Sequence, residues 1–251
     1  MPIYGTAAGA NVIFGKNTTG VAFSAAAVSD FTPNDVDDLI VWLKADAGIT
    51  KNGENLVSQW DDQTTGGSNN LAQATADDKP EWIDDTQNGL PILSFDDNFL
   101  QKATWSGGAI SQPITIFLVL KNLRLSSGEE YFYDSGSGDR TALIKSSGDT
   151  YYPYAEGGGW QTDITTDTTD FHYLTILYEG ASSTFRLDGG AETDSGAVDG
   201  DATMTGLTLG ERGSGGTDSQ CYIGEIMVYD ADVSDSDRTL LETYLKDRWD
   251  L

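Results

Sequence analysis

Of the 251 residues, one is a cysteine, Cys221, and one is a histidine, His172. A single cysteine excludes an intrachain disulfide, and a single histidine excludes metal centres built on several imidazoles. Basic residues are also scarce: 14 Lys and Arg stand against 40 Asp and Glu, a net charge of −26. Such a surface repels phosphates, so neither nucleic acid nor an anionic membrane is an expected partner. No stretch approaches the ~20 apolar residues of a membrane span. Residues 1 to 30 lack a basic start followed by a continuous apolar run, the signature of a secretory leader. Two histories fit a surface-type fold of this kind: a leader already removed, or a virion protein assembled in the cytoplasm and released by lysis. The Met-Pro start favours the second.

What the chain does contain is glycine, 29 residues against 6 prolines, with 38% hydrophobic residues, enough for a sizeable core. Short apolar runs separated by Gly, Asp, Ser and Thr predict many strands joined by turns. Leu39 to Ala45, Val57 to Trp60 and Pro91 to Phe95 are such runs. Ile114 to Lys121, rich in β-branched and aromatic residues, reads as a central strand. Tyr131 to Tyr133, Thr141 to Ile144 and Tyr151 to Tyr154 read as outer or edge pieces, the last because of Pro153. Phe171 to Tyr178 and Ser183 to Leu187 predict a hairpin, and Thr203 to Leu209 and Cys221 to Tyr229 close the sheets. One helix is predicted, at the end, capped by Ser234 with Asp237 three residues on, and carrying Leu240, Leu241, Tyr244, Leu245 and Trp249 on one stripe.

Residues 1–34 differ from the body at 35–251. Ile3, Tyr4, Val12, Ile13, Phe14, Val21 and Phe23 are set among Ala, Gly and Thr, and only Lys16 and Asp30 carry charge in the first thirty positions. The segment reads as an assembly arm, with Ile3, Tyr4, Ile13, Phe14 and Phe23 burying apolar surface on another subunit or on a second copy of the chain. The alternative is a disordered leader.

Several segments together resemble the concanavalin A-like, or laminin G-like, jelly-roll superfamily in its bacterial and phage branch. They are Trp42 to Asp46 followed by Val57 to Asp61, then Lys79 to Trp82, Asn88 to Asp96, and His172 to Tyr178 with Phe185 to Gly189. Leu209-Gly210, Ile223 to Tyr229 and the trailing Val233 to Leu245 complete the series, which covers residues 35 to 251. The resemblance implies an all-β, two-sheet antiparallel jelly-roll sandwich with an N-terminal arm and one C-terminal helix. It also implies proteins that include carbohydrate-binding modules, adhesins and virion components. Lys44 stands where this branch often carries an acid, so no metal role passes to that position.

The chemistry of individual residues narrows the choice. There is no G-x-S-x-G elbow to pair with His172. Glycoside hydrolases use paired carboxylates, and the nearest match, Glu225 on Glu225 to Tyr229, has Met227 and Tyr229 on its own face instead of acids. Asp61 and Asp62, and Asp96, Asp97 and Asn98, follow strands and are candidate Ca²⁺ ligands, because Ca²⁺ takes hard oxygen donors. Asp also suits turns for its own sake. Trp105, Trp160, Tyr151, Tyr152 and Tyr154 flank Gly-rich loops, where an aromatic face can stack on a sugar ring, and core packing is the alternative for each. Trp42, Trp60 and Trp82 are assigned to the core or its edges.

The expectation drawn from the sequence is a non-catalytic virion surface protein, a capsid decoration, head fibre or tail component, with a glycan-binding face. The alternative is a carbohydrate-binding module or adhesin at the cell surface, with glycoside hydrolase behind both.

Overall fold

The computed structural model describes residues 3–7, 10–14, 31–125, 128–136, 140–191, 193–194 and 203–251. The chain divides into two compact units, residues 1–32 and 33–251. In the first, β1 (Ile3–Ala7) and β2 (Ala10–Phe14) form an antiparallel hairpin that sets Ile3 opposite Phe14 and Tyr4 opposite Ile13. Within the segment expected to be an assembly arm, these residues are thus regular β-structure. Phe23 lies outside the described residues.

In the second unit, an eight-stranded antiparallel sheet is built from β3 (Leu39–Lys44), β7 (Glu81–Gln87), β8 (Leu90–Asp96), β11 (Ile114–Asn122), β16 (His172–Tyr178), β17 (Thr184–Leu187), β18 (Thr193–Asp194) and β21 (Gln220–Tyr229). Its order runs β18-β17-β16-β11-β21-β8-β7, with β3 also pairing β21. A nine-stranded sheet has the order β15-β14-β13-β12-β20-β9-β6-β5-β4. Its members are β4 (Ile49–Lys51), β5 (Val57–Trp60), β6 (Leu71–Ala72), β9 (Leu100–Lys102), β12 (Glu130–Asp134), β13 (Thr141–Lys145), β14 (Tyr151–Ala155), β15 (Gly158–Gly159) and β20 (Leu207–Leu209). A short pair, β10 (Ile110–Ser111) with β19 (Thr203–Met204), lies apart from both.

The two large sheets share one core. Ile114, Ile116, Leu118 and Leu120 of β11 pack in it with Leu174 and Ile176 of β16 from one sheet, and with Trp60, Phe132, Leu143 and Leu209 from the other. Two buried tyrosines stitch the layers: the hydroxyls of Tyr133 and Tyr178 lie 2.7 Å apart, and Tyr178 also donates to the carbonyl of Ala142.

The unbroken apolar run of β11 has a physical cause. Its alternate residues are covered too: Phe117 meets Tyr229 edge-on at 5.9 Å between ring centres. A strand buried on both faces has no polar alternation. That second face lies on the side of the sheet that carries α1 (Asp235–Trp249). Ser234 Oγ accepts the N–H of Asp237, as the capping pattern predicted. Leu241, Leu245 and Trp249, four residues apart, are buried. Leu240 is exposed, one position outside the buried stripe it was assigned to.

A single carboxylate ties the helix to the sheet. Glu225, fully buried on β21, accepts from Trp42 Nε1 at 2.7 Å and from the Tyr244 hydroxyl, Arg248 Nε and Trp249 Nε1 at 2.9 Å each. Gly224 permits this close approach, since a methyl there would stand 2.3 Å from the Trp249 ring.

Candidate functional site

The outward face of β12, β13 and β14 carries the best-formed aromatic surface. Strand alternation sends Tyr151 and Ala155 into the core and Tyr152 and Tyr154 outward. Tyr154 stands opposite Ala142, and Tyr152 opposite Ile144. Together with Tyr131 they form a separate apolar cluster on this face. The two half-buried rings of Tyr152 and Tyr154 have centres 6.4 Å apart and are tilted by 44°. Gly159, on β15, leaves room beside them: a Cβ there would press on the Tyr152 ring.

Arg140 completes the surface. Its guanidinium lies 4.8 Å from the ring centre of Tyr131 and 4.9 Å from that of Tyr154. Its Nε donates to Asp134 Oδ2 at 3.2 Å. The same oxygen accepts the N–H of Gly213, and Asp134 Oδ1 accepts that of Ser135. The turn joining the bridged residues Glu211 and Asp218 is thereby fastened to the acid that holds Arg140. Burial pushes the Asp134 carboxyl up from its ordinary value, against the pull of Arg140. Burial and the neighbouring Tyr154 likewise raise Tyr152, so its hydroxyl stays protonated and available as a donor at neutral pH.

The structure sorts the other residues singled out from the sequence. Tyr152 and Tyr154 come together, but Trp105 and Trp160 do not join them: they are 2% and 7% exposed and belong to the core. The glycine run ahead of Trp160 is not a free loop. Gly158 and Gly159 pair with Ala155 and Tyr154, and the Trp160 N–H donates to the Pro153 carbonyl, which turns the indole inward. The backbone N–H of Trp105 donates to the carbonyl of Thr205. Neither ring offers a face to a sugar.

The Ca²⁺ candidates are each engaged separately. Asp61 Oδ1 accepts from Gln59 Nε2, and Asp96 Oδ1 from Gln220 Nε2. Asp97 occupies a left-handed turn at φ 57°. Asp62 is spent on four backbone amides, those of Trp42, Thr64, Ser68 and Asn69. Among the described residues, no group of three or more His, Cys, Asp and Glu is placed to hold a metal ion.

The lone histidine and cysteine are structural. His172 Nδ1 and Nε2 lie 2.7 Å from Asp188 and Asp167 respectively. Burial pushes the Cys221 thiol up to about 12, which leaves it inert. Glu225 has no oxygen without a donor and no exposure, which removes it as a catalytic acid. Arg140 was missed in the sequence, where an isolated basic residue gives no signal.

No protein-family profile matches the chain, and no curated protein matches it. Solved structures do. An arabinofuranosidase complexed with arabinofuranosyl-α-1,2-xylobiose matches 77% of this chain and 51% of its own, at 14% identity and TM-score 0.58. The Trypanosoma rangeli sialidase, in complex with a difluoro-KDN ligand, matches 82% of this chain and 33% of its own, at 15% identity and TM-score 0.56. The chain shares this β architecture. At these identities the likeness establishes the fold, and the chain spans about a third to a half of the proteins it matches.

Two expectations are corrected by this finding. The two solved structures named above are glycoside hydrolases, and the reading as a non-catalytic virion surface protein is withdrawn. So is the exclusion of an enzyme, since both of these neighbours are glycoside hydrolases.

Proposed function

We propose that this chain is a saccharide-recognising jelly-roll domain of a carbohydrate-active protein, and that it binds its ligand on the outward face of β12–β14. The observation that carries the reading is the group of Tyr152, Tyr154 and Arg140 on one face, with Arg140 locked against Asp134. Tyrosine rings offer a flat apolar surface to the C–H face of a sugar and a hydroxyl to its edge. Arg140 is already stacked and paired, so little side-chain freedom remains to be lost when a ligand arrives. Its charge is met by Asp134, and the chain as a whole carries −26. The favoured ligand is therefore a neutral saccharide and not a polyanionic one.

The fold shared with an arabinofuranosidase and a sialidase supports carbohydrate as the ligand class. The activities named for those proteins are theirs, and hydrolysis by this chain is a separate measurement. Electrophoresis through gels cast with neutral or acidic polysaccharides tests the reading. Retardation is expected in at least one neutral gel and in none of the acidic ones. Equal mobility in every gel would overturn it. Reducing-sugar release from the same polysaccharides reads hydrolysis independently of binding.

A further inference from the structure

A second candidate site lies on another part of the molecule, where the last strands of the two sheets meet. β4 ends the nine-stranded sheet and β7 ends the eight-stranded one. The join is made by the bridge between Leu56 and Glu81, and by the N–H of Trp82, which donates to Asn55. An open cavity of about 450 Å³ sits at this join. Ile49 and Lys51 of β4 line it, as do Trp82 and Asp84 of β7 and Asp46 from the turn after β3. In each strand the lining residues are two apart, as alternation requires of residues on one face.

The cavity already holds a cation of the chain's own. Lys51 Nζ stands 3.2 Å from the centre of the Trp82 ring, and it donates to Asn55 Oδ1 at 2.8 Å. Trp82 is fixed from behind by its Nε1, which donates to the carbonyl of Ala45. Asp46 forms an ion pair with Arg248, Oδ1 to Nη2 at 2.6 Å, and Asp84 is exposed. An immobilised indole face with carboxylates in the same cavity is cation-recognition chemistry. Lys51 comes from a short terminal strand and is exposed, so its ammonium can leave the ring without disturbing the core.

We propose that this cavity binds a small ligand carrying a primary ammonium group, which takes the place of Lys51 Nζ over Trp82 beside Asp84. Lys51 is then an internal competitor that keeps the affinity of the unmodified protein low. The attraction is to the ligand's charge, so blocking the amine removes it while leaving the rest of the molecule intact.

Glucosamine and N-acetylglucosamine, which share a ring and differ in that charge, are the probes. Their binding is followed by titration against wild-type protein, Lys51→Met and Asp84→Asn, with retained melting temperature as the check on folding. Glucosamine is expected to bind, at a pH where its amine is protonated, and N-acetylglucosamine is not. Lys51→Met is expected to tighten glucosamine binding roughly 2- to 30-fold, the range of one cation–π contact. Asp84→Asn is expected to weaken it. Equal binding of the two sugars, no gain from Lys51→Met, or no glucosamine binding by either protein would each overturn the proposal. Repeating the titration in a protein carrying Tyr152→Ala and Tyr154→Ala separates this cavity from the aromatic face, since that pair of changes is expected to leave glucosamine binding as it was.

Discussion

The guanidinium of Arg140 lies 4.9 Å from the ring centre of Tyr154 while its Nε holds Asp134, so one side chain joins the exposed aromatic face to a buried acid. Removing it affects both. Arg140→Ala is expected to lower stability by about 2 kcal/mol, because Asp134 loses its only cationic partner among the described residues and keeps its desolvation. Arg140→Lys keeps the charge but not the flat, stacked plane, so it is expected to restore part of the stability and little of the saccharide binding. Denaturant unfolding and gel retardation measure the two effects on the same proteins.

The tie at Glu225 makes a prediction about folding alone. Glu225→Gln replaces an acceptor of four hydrogen bonds by a group that accepts on one atom only, and leaves Arg248 without its buried counter-charge. A loss of about 3–5 kcal/mol is expected, read as a lower urea midpoint with the slope unchanged. Gly224→Ala is expected to cost about 1–3 kcal/mol by driving a methyl into the Trp249 ring.

His172 gives the chain a pH-dependent increment of stability. Its hydrogen bond to Asp188 raises its pKa most, against burial, and with Asp167 holds it at about 9. An unfolded histidine titrates near ~6.5. A group whose pKa rises on folding stabilises the fold fully below the unfolded value and loses that contribution as pH climbs through the folded one. The difference in stability between wild type and His172→Gln is therefore expected to be largest near pH 6 and to vanish above about pH 9. With both aspartates partly exposed, its maximum is expected to be about 1–2 kcal/mol. Asp167 opposes the effect of its own burial through the N–H of Asp170 and through His172, and is held below the usual carboxylate range. Its share is lost only as pH falls into strong acid. Thermal melts from about pH 2 to pH 10 check both signs.

The first unit yields a further test. Among the described residues, the core shared by the two large sheets is drawn from positions between Val41 and Val228, and residues 1–32 form a unit of their own. Deleting residues 2 to 30 is expected to leave the melting temperature of the remaining chain within a few degrees of its original value. A collapse of the melting transition would place the apolar side chains of that segment in the core.

Much of the architecture was legible because it rests on local patterns. The β-branched run at Ile114 to Lys121, the hairpin at His172 to Leu187 and the Ser234 cap each carry their own signal, and each element formed where that signal lay. The candidate site was legible only in part. Tyr152 and Tyr154 were visible as aromatics beside a Gly-rich loop, and the strand then turns them outward while Tyr151 and Pro153 are buried. Trp160 misleads because glycines read as flexible, and whether a Gly-Gly pair is free or hydrogen-bonded to a neighbouring strand depends on partners distant from any local window. Arg140 was invisible for a related reason: its three neighbours, Tyr131, Tyr154 and Asp134, come from strands whose pairing only the fold supplies. The same holds for Glu225, whose donors lie on β3 and α1.

The most direct test of saccharide recognition on the β12–β14 face is calorimetric titration of wild-type protein and of the Tyr152→Ala, Tyr154→Ala double variant with neutral oligosaccharides. Both rings stand on the outward face of a strand whose inward residues fill the core, so the double variant is expected to fold and to melt close to wild type. Loss of two stacking surfaces is expected to weaken binding roughly tenfold or more. A double variant that is folded and binds with wild-type affinity would contradict the assignment of this face.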